Sequence, residues 1–288
     1  MRWEGRQQSD NIEDRRGMRV PGGRGTGFGC LGLLIVMVVA MLTGADPQQL
    51  LGLLGLVEQI APQAQVQQVP EGQPPANDPQ AQFVGVVLKD TENAWTTVFQ
   101  KTGERYEEPT LVLFDGRVAS ACGMASAAVG PFYCPADRKV YLDMAFFREL
   151  DQRFGAPGDF AQAYVVAHEV GHHVQNLMGI SDQVTALQQR ARSQEQANAL
   201  SVRLELQADC LAGVYGHFNQ QYLDPGDVEE GLRAAAAIGD DMIQRQTRGE
   251  TAPESWTHGS SEMRVRWLRQ GLQSGDPAAC DTIKPPRL

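Results

Sequence analysis

His168, Glu169 and His172 stand in the order H-E-x-x-H within the stretch HEVGH. On a helix, residues i and i+4 share a face one turn apart, so both imidazoles can reach a single metal ion. Glu169, beside the first of them, is placed to take a proton from a water that the metal activates. The chemistry implied is metal-assisted hydrolysis, with one Zn2+ as the ion this pattern ordinarily holds. A solvated helix face carrying two histidines is the plainer alternative.

A catalytic zinc takes three protein ligands and keeps a fourth position for water. RLELQADCLAG at 203–213 offers Glu205 and Asp209, four residues apart on one helix face. Glu205 as ligand, with Asp209 holding the second nitrogen of a histidine, is the economical assignment. On the residues alone the reverse stays open. Ala208, Ala212 and Gly213 would let this helix approach the motif helix closely. His258, in THGSS, is the candidate for a second electrophile at the oxyanion; an ordinary loop histidine is the competing reading. Tyr215 and Tyr222 are further candidates for that role. His173 points about 100° round the helix from His172 and is expected to pack or bond locally. His217 reads as structural.

These side chains need elements to carry them. Asp159 can cap a motif helix that runs to about Gly179, a natural stop. Residues 182–219 read as helical with a possible break, as do 227–248 and 260–273, with Ser260 or Ser261 as a cap. Upstream, 91–101 reads as a helix capped near Asp90 or Thr91, and 146–154 as a short one. TLVLF at 110–114 and KVYLD at 139–143 read as strands, and 117–135 as hairpin or loop. Residues 120–129, or the strand at 140–143, could supply a sheet edge on which a substrate lies as an added strand. Trp95, Trp256 and Trp267 read as core. Helices dominate over a small early sheet, which makes the class α+β.

The chain has 288 residues and a net charge of −10. No basic stripe lies beyond the N-terminal tail, which argues against nucleic acid as a partner. Residues 1–24, charged and Gly-rich, read as a disordered cytoplasmic tail. Residues 25–45 carry no charge and, as a helix, would span about 32 Å, a bilayer core. Arginines precede this run, and no Lys or Arg follows it until Lys89. The positive-inside rule then predicts a single-pass inner-membrane protein, N-terminus in the cytoplasm and catalytic domain outside. A cleaved signal peptide ending near Ala45 is the competitor. Cys30 reads as a membrane-buried thiol. Residues 46–80, rich in Gln and Pro, read as a linker, and 81–288 as one catalytic domain. Within the linker, LLGLLGLVEQI could lie on the membrane or help the chain oligomerise. Cys122, Cys134, Cys210 and Cys280 make an even set that suits disulfides in an exported domain. Three pairings are possible, among them Cys122–Cys134 with Cys210–Cys280.

HEVGHHVQNLMGI, then RLELQADCLAGVYG, then THGSSEMRVRW, resemble the bacterial family called putative neutral zinc metallopeptidases, and MRWEGRQQSDNIEDRRG is similar to that family's start. The resemblance implies a zincin-like metallopeptidase fold acting on peptide or protein substrates. E-x-x-x-D following H-E-x-x-H is also similar to the ligand pattern of glutamate zincins, which implies Glu205 as ligand and Asp209 as the partner of a histidine. Two other functions compete: a non-catalytic, membrane-tethered zinc module, for which Glu169 would have no use, and a zinc hydrolase of a non-peptide amide.

Overall fold

In a computed structural model, the structure describes residues 1–18 and 77–283. Apart from Met18, the described residues belong to one compact unit. The expected membrane helix at 25–45, Cys30 and nearly all of the linker lie outside the described residues. Among the described residues, no helix is long and apolar enough to cross a membrane.

The fold is mostly helical around a small sheet, as the α+β expectation has it. Four strands, β1 (Ile12–Asp14), β2 (Thr110–Phe114), β5 (Phe132–Cys134) and β6 (Lys139–Asp143), line up in the order β1-β2-β6-β5. β1, β2 and β6 run parallel, and β5 closes the sheet antiparallel to β6. A strand turns alternate side chains to opposite faces. Leu111, Leu113, Val140 and Leu142 therefore enter the main core, while Val112, Phe114 and Tyr141 enter a smaller one with Val118 and Cys134. Both faces are covered, which is why LVLF at 111–114 is apolar throughout instead of alternating. The hairpin β3 (Arg117–Ser120) and β4 (Gly123–Ser126) roofs the smaller core, and the Cys122–Cys134 disulfide ties its turn to β5.

The expected helix at 91–101 is the second half of a longer one, α1 (Pro79–Thr102). Its start is fixed by Pro79 in the first turn and by Asp78, whose carboxylate accepts from the Ala81 N–H. Asp90 and Thr91 are buried inside it and are not caps. Then follow α2 (Ala145–Gln152), α3 (Asp159–Leu177), α4 (Ile180–Gln189), α5 (Gln194–Phe218), α6 (Asp227–Ala237), α7 (Asp240–Arg248) and α8 (Ser261–Ser274). Asp159 sits in the first turn of α3 without capping it. The break within 182–219 falls at 190–193, where Ser193 caps α5. Ser260 caps α8. Cys210–Cys280 pins α5 to the C-terminal segment, so the disulfides follow one of the three possible pairings.

The N-terminal tail departs from expectation. Residues 1–17 are not disordered: they form a strap that supplies β1 and packs along α1. Its charges, which suggested disorder, are consumed in pairs. Arg6 bonds Asp90, Arg15 bonds Glu13, and Arg16 bonds Asp14 and Asp78. Ser9 and Asn11 both reach the buried Glu92.

Candidate metal centre

The site is built where α3 crosses α5. The crossing is close because Gly171 faces Ala208: a Cβ at Gly171 would lie 3.0 Å from the Ala208 carbonyl oxygen and 3.2 Å from its Cα. Ala208 thus does what the sequence suggested. Gly213 instead admits α8, since a Cβ there would meet the Leu268 carbonyl at 2.2 Å.

At the crossing, His168 and His172 stand with their rings perpendicular and 4.8 Å apart. Both Nε2 atoms face Glu205: His168 Nε2 is 3.2 Å from Oε2 and His172 Nε2 is 3.5 Å from Oε1. The three donor groups lie within 4.8 Å of one another. Metal bonds of about 2.0–2.2 Å in a tetrahedron separate ligand atoms by about 3.4 Å, so the spacing suits zinc, as does the nitrogen-and-oxygen donor set. Asp209 lies on the other side of the His168 ring, with Oδ1 2.9 Å from Nδ1. The alternative in which Asp209 is the ligand and Glu205 supports it does not fit this geometry.

Each imidazole is held from behind. Asp209 accepts from Tyr164 Oη at 2.6 Å and from Arg264 at two points, Nε to Oδ2 and Nη2 to Oδ1, each 2.9 Å. Burial opposes charge on Asp209, but the Arg264 guanidinium and the His168 ring outweigh it and pull the carboxyl down to about 2. Asp209 therefore stays an acceptor, so His168 carries a proton on Nδ1 and Nε2 is the nitrogen turned towards Glu205. His172 is held in the same way by Gln175, whose Oε1 lies 2.9 Å from Nδ1. The Gln175 amide is itself oriented, because its NH2 donates to the Leu204 carbonyl at 2.7 Å and to Gln207 Oε1 at 3.1 Å. Burial also works against charge on the two histidines, yet the facing carboxylates prevail. His168 is raised to about 10, His172 is raised, and Glu205 is held well below the usual carboxylate range.

Glu169 and the three donors open onto a cleft of about 680 Å³. One wall runs from the short turn at Ala127–Val129 into β5; α4 contributes Val184 and Thr185 to the lining. β5 is thus the strand at the cleft, and it is also the sheet edge. The expected edge at 140–143 is wrong, because β6 lies between β2 and β5. His258 also lines the cleft, with Nδ1 3.3 Å from Asp240 Oδ1. The hydrogen bond to Asp240 raises its pKa. Asp240 fixes the loop itself, since Oδ2 accepts from the backbone N–H groups of Thr257, His258 and Gly259.

The remaining candidates lie elsewhere. His173 is buried, with Nε2 donating to the Glu107 carbonyl at 2.6 Å and Nδ1 beside Tyr133 Oη at 3.0 Å; burial lowers its pKa to about 4. His217 bonds the Leu272 carbonyl, as a structural residue would. Tyr215 is fully buried and Tyr222 lies under the Arg6 guanidinium, so neither reaches the cleft. Trp95 and Trp267 are core residues, and Trp256 packs against the core. Gln175, Tyr164, Arg264 and Asp240 were not singled out in the sequence. Gln175 had a signal, three residues after His172 on the motif helix; the others depend on packing between distant segments.

A family model described as "putative neutral zinc metallopeptidase" matches residues 1–283. The uncharacterised protein YpfJ of Escherichia coli K12 is 48% identical over 296 residues, covering 98% of this chain and 99% of its own. The uncharacterised protein Rv2575 of Mycobacterium tuberculosis H37Rv is 43% identical over 259 residues, with 85% of each chain covered. No solved structure matches.

Proposed function

Since this chain belongs to the putative neutral zinc metallopeptidase family, we propose that it is a zinc-dependent peptidase of zincin-like fold in which Glu169 is the general base. The observation that carries the reading is the convergence of His168 Nε2, His172 Nε2 and Glu205 beside Glu169 at the floor of one cleft. A structural zinc would be closed off, usually by cysteine; here the four cysteines of the described residues are in disulfides.

His168, His172 and Glu205 would hold the ion, which supplies a Lewis acid that activates water and polarises the scissile carbonyl. Glu169 accepts the proton of the attacking water and hands it to the departing amide nitrogen. Asp209 and Gln175 accept from the two Nδ1 atoms, which would leave both Nε2 atoms to bind the ion. His258, its charge favoured by Asp240, donates to the oxygen that becomes negative in the tetrahedral state. The peptide lies along β5 as an added strand, its side chains divided between the cleft and solvent.

The test is a peptide-library digest of the purified chain with a parallel zinc determination. Glu169→Gln should retain one zinc and lose roughly 10²–10⁴-fold in turnover. His168→Ala should lose the metal. Cleavage by Glu169→Gln at the wild-type rate would remove the mechanism.

A further inference from the structure

The strap and the catalytic body are one folded piece, and the two ends of the chain between them meet. The strap is threaded into the sheet: the Leu111 N–H donates to the Asn11 carbonyl at 2.9 Å and the Arg15 N–H to the Leu113 carbonyl at 2.8 Å. At its start the Arg2 N–H reaches the Tyr222 carbonyl at 2.8 Å, and Trp3 packs edge-on against Phe83. At its end, Arg16 Nη1 is 2.5 Å from Asp78 Oδ2, and the Gly17 N–H bonds the Asp115 carboxylate at 2.8 Å. Asp78 is the cap of α1. The chain therefore leaves the folded body at Gly17 and rejoins it within one ion pair of where it left.

Between these points lies the uncharged stretch 25–45, of bilayer length. A single crossing would put about 30 Å of hydrocarbon between residues that here share a sheet. We propose that residues 2–17 and 78–283 lie on the same side of the membrane. Four of the arginines that precede this stretch are answered within the fold: Arg2 by Asp224, Arg6 by Asp90, Arg15 by Glu13, and Arg16 by Asp14 and Asp78. The inference is independent of peptidase activity.

The test is cysteine labelling of the full chain in sealed right-side-out and inverted membrane vesicles, with a membrane-impermeant maleimide. In a Cys30→Ala background, Gln7→Cys reports the strap and Glu195→Cys the body; both positions are exposed. The two should label in the same vesicle orientation and both lose labelling in the other. Labelling of Gln7→Cys in one orientation and Glu195→Cys in the opposite one would overturn the proposal. Asp10→Cys with Arg192→Cys, also exposed, repeats the measurement where the first pair is poorly produced.

Discussion

Arg264 is the residue on which the metal centre leans without touching it. It is 3% exposed, and its charge is answered by Asp209, which is fully buried. Two parallel bonds from one planar guanidinium cannot be copied by an ammonium. Arg264→Lys should keep the fold and lower zinc affinity about 10–100-fold, read by competition with a chelator, because Asp209 then holds His168 loosely. Unchanged affinity would mean that Asp209 alone positions the ring. At this scale the sequence was legible where spacing alone does the work. H-E-x-x-H and E-x-x-x-D each put two side chains on one helix face, and the structure brings His168, His172 and Glu205 together with Asp209 behind. Arg264 was not legible, because nothing in its own helix records that Asp209 lies opposite.

The elements follow the same division. Helices with strong periodicity and local stops were legible to within a few residues: Gly179 follows α3, and Ser260 caps α8. β1 was missed for a physical reason. It is three residues long, offers Ile12 as its one large apolar side chain, and is a strand only because β2 presents an edge to it. The close packing of α8 on α5 was equally hidden. A Cβ at Gly271 would fall 1.9 Å from the Cys210 carbonyl oxygen and 2.8 Å from the Val214 nitrogen. Both are backbone atoms that cannot step aside alone. Gly271→Ala should therefore destabilise the chain by about 1–3 kcal/mol or more in urea unfolding. It should also weaken zinc binding, since α8 carries Arg264. Wild-type stability in this variant would show that the two helices can separate freely.

For the whole molecule, pH is the probe that reads buried charge. His173 is held neutral, its pKa lowered from 6.5 to about 4 by burial. Its contribution to stability is present above pH 6.5 and is lost as pH falls through 4, at most roughly 3 kcal/mol. Asp90 runs the other way: burial raises it from 3.8 to about 6, against the pull of Arg6. Its contribution is present below pH 3.8 and is lost as pH rises through 6. The two partly cancel between pH 4 and 6. In an Asp90→Asn background, urea midpoints should fall steeply as pH is lowered from 6 to 4, and adding His173→Gln should flatten that fall. An equally steep fall in the double variant would assign the acid sensitivity elsewhere.

The position of the strap also sets an order of events. Its residues leave the ribosome first, yet β1 has no partner until Leu111 exists, and Arg2 none until Tyr222 does. At 5–20 residues per second that is a wait of roughly 10–45 s for the N-terminus. Until then the nascent chain presents an undocked arginine-bearing end ahead of its apolar run, the form a targeting factor would meet, and that form vanishes once β1 pairs with β2.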